Sequence, residues 1–171
     1  MGRAAWTIRS EWDGTPAPAK EQVRLTLAWD DAAAELRVEA PFHDDPAPPG
    51  AAGPHPGLWE FEVVELFLLG EEQRYLEIEI GPHGHHWVLE LHGARRVVRE
   101  GLPLRLEVER QGEAWRARAD FPATWLPPGL FAANAYAIHG HGSRRRYLAA
   151  SPVPGTRPDF HQLEHFPRIA S

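Results

Sequence analysis

Residues 58–69 of the chain read Leu-Trp-Glu-Phe-Glu-Val-Val-Glu-Leu-Phe-Leu-Leu, and this stretch decides the class of fold. From Val63 onward every side chain is apolar except that of Glu65. Successive side chains of a β-strand point to opposite faces of the sheet, so a strand that is apolar at both parities must be covered on both faces. We therefore predict that residues 58–69 form an interior strand with the Glu65 carboxylate inside the protein.

Several other segments predict strands of the alternating type. Apolar residues recur at every second position in short runs, and turns rich in Gly or Pro separate many of the runs. In the run from His86 to His92 we expect Trp87, Leu89 and Leu91 to face the core. No segment keeps a helical period for long. The other runs cover residues 23–29, 36–38, 75–80, 104–108, 115–121, 135–139 and 146–150.

This pattern predicts an all-β fold, an antiparallel β-sandwich of the jelly-roll type. The length of 171 residues suits one domain, so we expect residues 1–171 to form a single β-sandwich domain. Six prolines lie between residues 41 and 56. Because proline fixes φ and lacks an N–H donor, this segment is predicted to be a long surface loop.

Composition excludes several classes of function. The formal net charge of −6 leaves no broad cationic face for a phosphate backbone, so a nucleic-acid partner is not expected. No apolar run is long enough for a membrane span, and residues 1–12 lack a signal-peptide pattern, so we expect a cytoplasmic protein that does not bind membranes. The chain has no cysteine, so any metal would need His and carboxylate ligands.

Eight of the ten histidines lie after residue 80, and two groups of them resemble metal-binding patterns. His161 and His165 fit the zinc-protease spacing H-x-x-E-H, but Pro158 and Pro167 leave no room for the helix that this chemistry needs. His83 and His85, followed by Glu90, resemble half of a cupin metal motif. In an unbroken strand residues 85 and 90 face opposite sides, so a cupin-like site would require a bulge; otherwise these are surface turn histidines.

Other polar and aromatic residues are candidates for binding a ligand. A buried Glu65 needs a partner, either an internal cation or a ligand hydroxyl. Trp12 and Trp59 lie at the ends of predicted elements, where a sugar ring could stack on the indole. The run Arg144-Arg145-Arg146 is expected to be solvated loop charge.

Short motifs along nearly the whole chain resemble those of a small uncharacterised family of proteins from animals and bacteria. The central strand, the Tyr75 strand and the following Gly-Pro-His-Gly turn are also remotely similar to family 9 carbohydrate-binding modules and to DOMON domains. The motifs are Trp12-Asp13-Gly14, Ala40-Pro41-Phe42, residues 58–65, Tyr75-Leu76-Glu77, Pro82-His83-Gly84, Ala137-Ile138-His139-Gly140, Pro152-Val153-Pro154 and Pro158-Asp159-Phe160-His161.

The resemblance implies a jelly-roll-like antiparallel sandwich that binds a sugar between aromatic rings near one end. In this sequence Trp12 and Trp59 would supply the rings, and Glu65 corresponds to the carboxylate near the strand centre. Haem-binding DOMON domains use Met and His as axial ligands, and Met1 is the only methionine here, so haem is not expected. His83, His139 and His161 fall within the family's motifs.

We therefore expect a non-catalytic module that binds a small molecule, with carbohydrate the leading class of ligand and no cofactor or bound metal. A metal-dependent enzyme, cupin-like or a hydrolase, that uses the clustered histidines is the alternative, and a scaffold that recognises another protein is a third possibility. The sequence does not specify the oligomeric state. The candidate ligand-binding residues are Trp12, Trp59, Glu65, His83, His139 and His161.

Overall fold

The structure is a computed structural model that describes residues 1–169. Within that range β-strands and single turns of 3₁₀ helix make up the regular structure. The 3₁₀ turns are Ala19–Glu21, Leu58–Glu60, Glu71–Gln73, Ala123–Trp125, Gly142–Arg144 and Leu163–His165. The strands are β1 (Gly2–Ile8), β2 (Ser10–Glu11), β3 (Val23–Trp29), β4 (Ala33–Pro41), β5 (Gly53–Pro54), β6 (Val63–Leu69), β7 (Arg74–Ile80), β8 (His85–His92), β9 (Val97–Glu100), β10 (Arg105–Gln111), β11 (Ala114–Pro122), β12 (Ala132–His139) and β13 (Arg146–Ala149).

Two sheets form the fold. The smaller has five strands in the order β1-β3-β4-β11-β10, and the larger has the order β2-β13-β12-β6-β7-β8-β5, with β9 paired to β8. All strand pairs are antiparallel except β5 with β8. The predicted antiparallel β-sandwich is confirmed. Strand β6 lies between β12 and β7, the interior position that its apolar sequence predicts.

The main hydrophobic core lies between the two sheets. One parity of each strand supplies it, as the alternating sequence requires. Leu25 and Leu27 of β3 and Leu36 of β4 are fully buried and face Leu66 of β6 and Ile78 of β7. Burying a leucine side chain stabilises the folded state by about 2 kcal/mol, so this layer supplies much of the driving force for closing the sandwich.

A second apolar layer covers the other face of the larger sheet, which we call the outer face. Residues 153–166 run back over it, where Phe166 packs against Phe67 of β6 and Phe160 stacks on Tyr136 of β12. The prediction that Trp87, Leu89 and Leu91 face the sandwich core is wrong. These β8 side chains point to the outer face instead, and the intervening Val88 enters the core. The prediction failed because both faces of this sheet are covered by apolar residues, so alternation alone does not identify the face that meets the other sheet.

Two predicted boundaries also differ from the structure. The central strand begins at Val63 rather than Leu58, since Leu58–Glu60 forms a 3₁₀ turn that leads into it. The proline-rich segment 41–56 is mainly irregular, but its Gly53–Pro54 pair forms β5 and adds an edge strand beside β8. An edge strand tolerates proline because one side of it needs no backbone donor.

Candidate functional site

A cleft of about 250 Å³ opens on the outer face of the larger sheet. Side chains of β6, β7 and β12 form its floor, and the returning segment 158–161 forms one wall. We call it the outer cleft. Its lining residues are Trp59, Glu65, Phe67, Glu77, Arg95, Ile138, Tyr147, Pro158, Asp159, Phe160 and His161.

Three glutamates lie together on the outer face of the larger sheet, and two of them, Glu65 and Glu77, line the outer cleft. Glu65 comes from β6, and Glu77 and Glu79 come from β7, where Glu79 is directly opposite Glu65. Their exposed fractions are 2%, 6% and 1%. We call these residues the glutamate floor. Within residues 1–169, Oε2 of Glu79 is fully buried without a hydrogen-bond partner, and no hydrogen bond satisfies the Glu65 carboxyl. Burying a carboxyl oxygen without a partner costs free energy, so Glu65 and Oε2 of Glu79 are the groups of the floor that a ligand could satisfy.

Burial raises the pKa of every carboxyl in the glutamate floor. The pKa of Glu65 is raised well above its usual value by desolvation and by the Glu77 charge, although the Arg145 guanidinium opposes this shift. Desolvation raises the pKa of Glu77 to about 7, and that of Glu79 is raised by burial and by its two neighbours. Near neutral pH the floor therefore holds protons, and its carboxyls can donate hydrogen bonds as well as accept them.

His161 stands at the wall of the outer cleft in a defined orientation. Its Nδ1 lies 2.7 Å from the Tyr75 hydroxyl, which also accepts a hydrogen bond of 2.9 Å from the Arg95 backbone N–H. The hydroxyl proton is thus free to be donated to Nδ1, which leaves the imidazole proton on Nε2, 3.9 Å from Oε2 of Glu77. Burial lowers the pKa of His161 to about 4, so the ring is neutral at physiological pH.

An ion pair lies at the rim of the outer cleft. The Arg95 guanidinium donates to Oδ1 of Asp159 at 2.7 Å, and both side chains are partly exposed. Oδ1 also accepts a hydrogen bond of 3.1 Å from the backbone N–H of His161. The carboxylate therefore holds the wall segment and the Arg95 loop in one arrangement, and it presents polar groups at the entrance.

Trp59 supplies an aromatic surface at the mouth of the outer cleft. Its side chain is 52% exposed, which is unusual for a tryptophan. Gly57, with φ of +72°, precedes the 3₁₀ turn that carries the indole, and this left-handed conformation favours glycine. The Arg145 guanidinium donates to the backbone carbonyls of Trp59, Phe61 and Gly140. The exposed ring thus stands on a backbone that is held in place.

The structure brings only part of the predicted residue set together. Trp59, Glu65 and His161 line the outer cleft. Trp12 packs at the edge of the outer-face cluster and bonds through its backbone to Tyr147 and Val153, but its side chain does not line the cleft.

His83 and His139 lie elsewhere. The His83 ring meets the ring of Phe42 edge to face, with centroids 5.7 Å apart, in the turn between β7 and β8. His139 follows Ile138 on β12 and so points to the inner face, where it stacks on His43 with centroids 3.5 Å apart. Alternation along one strand therefore separates His139 from the outer cleft.

Several residues of the outer cleft were not identified from the sequence. Glu77 was recognised only as part of the polar parity of its strand, and Arg95, Tyr147, Asp159 and Phe160 were not singled out as site residues. One signal was available for Glu77: its neighbour β6 is apolar at both parities, so the sheet is covered on both faces and a glutamate beside Glu65 is also buried. The other residues come from loops and a long-range return of the chain.

Neither metal pattern of the sequence forms a site. Strand β8 pairs in regular register with β7, so His85 and Glu90 face opposite sides, and Glu90 pairs with Arg99. His161 precedes a single 3₁₀ turn, Leu163–His165, that ends at His165, and such a turn cannot present two ligands as a helix does. Residues 1–169 contain no group of three or more His, Asp or Glu side chains placed to hold a metal ion.

The arginine run is bound within the protein rather than simply solvated. Arg146 forms ion pairs with Glu11 at 2.8 Å and Glu21 at 2.9 Å, and Arg145 holds the backbone beneath Trp59. No helix in the described part of the chain is long and apolar enough to cross a membrane.

Sequence comparison finds close relatives in animals. The chain is 42% identical over 168 residues to the UPF0462 protein C4orf33 homolog of Mus musculus, and the alignment covers 93% of this chain and 87% of the relative. Identity to the Homo sapiens UPF0462 protein C4orf33 is 41%, with 93% and 84% covered, and to the Danio rerio homolog it is 40%, with 93% and 85% covered. No protein-family model matches the chain.

Structural comparison finds the same fold in proteins connected with carbohydrate. A Bacteroides uniformis protein proposed to bind carbohydrate aligns with a TM-score of 0.73 at 18% identity, over 97% of this chain and 84% of the other. A family 9 carbohydrate-binding module from Caldicellulosiruptor kristjanssonii, solved with glucose, aligns with a TM-score of 0.55 at 15% identity, over 86% and 74%. At these identities the likeness concerns the fold.

Proposed function

The chain belongs to the UPF0462 family that includes the C4orf33 proteins, and we propose that it is a non-catalytic module that binds carbohydrate in the outer cleft. The observation that carries the proposal is the combination of an exposed Trp59 at the mouth with the Glu65 carboxyl, which lines the cleft, is 2% exposed and has no hydrogen-bond partner within residues 1–169. A sugar has the matching chemistry, because its C–H face is apolar and its hydroxyls both donate and accept hydrogen bonds.

Each side of the outer cleft has a role in this proposal. The sugar ring stacks on Trp59, while its hydroxyls reach the glutamate floor and the Nε2–H of His161. Protonated carboxyls can donate to hydroxyl oxygens and accept from hydroxyl protons, so the desolvation of these groups is offset when a ligand supplies the missing partners. The cleft of about 250 Å³ lies just below the usual range of roughly 300–1,000 Å³ for binding pockets, so it suits a ligand as small as a single sugar ring.

The β-sandwich fold of the chain is compatible with sugar binding. The family 9 module has been solved with glucose and with cellotriose, so the sandwich that this chain shares can carry a sugar site. Which sugar this chain binds follows from its own residues.

Isothermal titration of mono- and disaccharides tests the proposal. We expect at least one to bind saturably, and we expect Trp59→Ala to weaken that binding about fivefold or more, since stacking on an aromatic ring contributes about 1 kcal/mol or more. Phe131→Ala is the matched control, because Phe131 is 37% exposed and does not line the cleft. Absence of saturable heat with every sugar would overturn the proposal, as would equal binding by both variants.

A further inference from the structure

The outer cleft is lined by more carboxyl groups than cationic groups, and its arginines already have partners. The glutamate floor and Asp159 supply the carboxyls, while Arg95 and Arg145 are the cations near them. Arg95 is paired with Asp159 at 2.7 Å. Arg145 donates to three backbone carbonyls and forms no ion pair with a floor glutamate within 4.0 Å in the described residues, although its charge lowers the pKa of Glu65.

The glutamate floor has no cation in contact with it. Within residues 1–169, no Lys or Arg nitrogen lies within 4.0 Å of a floor carboxylate oxygen, and the nearest ionisable nitrogen is Nε2 of His161, 3.9 Å from Glu77. His161 is held neutral by burial. Glu65 lines the cleft and is only 2% exposed, and its carboxyl forms no hydrogen bond with the described residues 1–169. A buried carboxyl of this kind is best satisfied by a charge that arrives with the ligand.

Aromatic rings surround the same space. Trp59, Phe67, Tyr147 and Phe160 line the cleft together with Glu65 and Glu77. The face of an aromatic ring attracts a cation, and an ammonium group gains most where water is excluded. Carboxyls below and rings around a small cleft form an arrangement suited to an amine rather than to a neutral hydroxyl.

We infer that the preferred ligand of the outer cleft is an amino sugar with a free, protonated amine, and that its ammonium group lies against Glu65 and Glu77. This inference rests on the proposed carbohydrate site and names its class of substrate. A neutral sugar would place only a hydroxyl against the glutamate floor. An N-acetylated sugar would lose the positive charge and would add an acyl group next to buried carboxyls.

Carboxyls outnumber cations around the glutamate floor. Glu65 faces Glu79 and Glu77 from β7 and the opposing cation Arg145, while Glu77 also faces His161 and Arg95 from the returning segment and the nearby loop. Mutual repulsion and burial raise the pKa of Glu65 and Glu79. An arriving ammonium would favour the ionised carboxylates, so charge in the floor and charge on the ligand stabilise each other.

Isothermal titration with three disaccharides tests the inference on the unmodified protein near pH 7. The probes are the free-amine glucosamine disaccharide, its fully N-acetylated form and cellobiose. We expect the free-amine form to bind about tenfold more tightly than the other two, because a charge-assisted hydrogen bond is stronger than a neutral one. Equal binding of all three would overturn the amino-sugar inference and leave the carbohydrate proposal standing. If none of the three binds and no other sugar does, both fail.

Variants locate the preference in the glutamate floor. Glu65→Gln keeps the shape of the side chain but cannot ionise when an ammonium group binds, so we expect the tenfold preference for the free amine to shrink to about twofold. Glu107→Gln, on an exposed position of β10, makes the same change in net charge and should keep the full preference. Circular dichroism checks that each variant folds, and Glu77→Gln replaces Glu65→Gln if the latter does not. A preference that survives both floor substitutions would contradict the inference.

Discussion

Glu65 on β6 lies directly opposite Glu79 on β7, and both carboxyls are buried on the outer face of the larger sheet. Like charges at directly opposed positions of neighbouring strands destabilise a sheet. The pair is therefore tolerated only when protons or a bound positive group neutralise it. This single relationship connects the stability of the fold with the chemistry of the outer cleft.

Replacing Glu79 with Gln should stabilise the protein in a pH-dependent way. Because the folded-state pKa of Glu79 is raised above 4.5, the wild type loses stability as pH rises above that value, and Gln does not. We expect Glu79→Gln to raise the free energy of unfolding by about 1 to 3 kcal/mol near pH 8 and by little near pH 4. Urea unfolding at several pH values measures this difference. A gain that is equal at both ends of the range would show that charge is not the cause.

The Tyr75 hydroxyl should matter for both stability and binding. It joins Nδ1 of His161 to the backbone N–H of Arg95, with distances of 2.7 and 2.9 Å. Tyr75→Phe removes both hydrogen bonds and should lower the free energy of unfolding by about 1 to 3 kcal/mol. It should also weaken sugar binding, because His161 loses the partner that fixes its ring. Tyr147→Phe is the control for the unfolding measurement, and a similar loss of stability in that variant would contradict the role given to the Tyr75 hydroxyl.

Gly140 allows a close approach that positions Arg145. Its φ is +74°, and a Cβ there would lie 2.3 Å from the backbone oxygen of Arg144. Gly112 also has a positive φ, of +61°, but no atom lies within 4 Å of its Cβ position. We expect Gly140→Ala to cost about 2 kcal/mol more than Gly112→Ala in thermal or urea unfolding, since both share the strain in φ and only one has the clash.

The same pair of substitutions separates stability from binding. Arg145 donates to the Gly140 carbonyl at 2.8 Å and to the carbonyl of Trp59. Movement of the Gly140 backbone should therefore disturb Trp59 and reduce sugar affinity, while Gly112→Ala should leave affinity unchanged. Equal effects of both variants on affinity would contradict this role of Arg145.

His139 should make the protein sensitive to acid. Burial and the stacked His43 lower the pKa of His139 to about 4. A depressed histidine pKa contributes stability above the unfolded value of 6.5, and that stability is lost as pH falls from 6.5 toward 4. His139→Phe keeps the aromatic stack, and Nε2 has no hydrogen-bond partner to lose among residues 1–169. Between pH 6.5 and 4 the free energy of unfolding should fall in both proteins, and we expect the fall to be smaller in the variant by on the order of 2 kcal/mol. Identical acid unfolding of the two proteins would contradict this expectation.

Local sequence patterns predicted most of the fold because they record which face of a strand is buried. The apolar run from Val63 and the alternation from Tyr75 to Ile80 correspond to β6 and β7, and their pairing follows from the turn between them. The same patterns gave the wrong face for Trp87. Alternation shows that two faces differ, but when both are apolar it does not show which one meets the other sheet.

The candidate site was predicted only in part because it depends on contacts far apart in sequence. Glu65 was identified from its apolar surroundings, and Trp59 from its place at the start of a predicted element. Asp159 and His161 reach the outer cleft because the end of the chain returns over the sheet, an arrangement that no local periodicity encodes. His139 was grouped with His161 by residue type, whereas its parity on β12 directs it to the opposite face.

Nuclear magnetic resonance of the tryptophan indole N–H groups tests whether a sugar binds in the outer cleft beside Trp59. Cellobiose and the free-amine glucosamine disaccharide would each be titrated into the ¹⁵N-labelled protein, whose 7 tryptophans each give one indole signal. The account predicts that the Trp59 signal shifts saturably with at least one of them, while that of Trp115, 1% exposed in the sandwich core, stays fixed. Saturable shifts confined to Trp29 on the smaller sheet, or a Trp59 signal that does not move with either sugar, would contradict it.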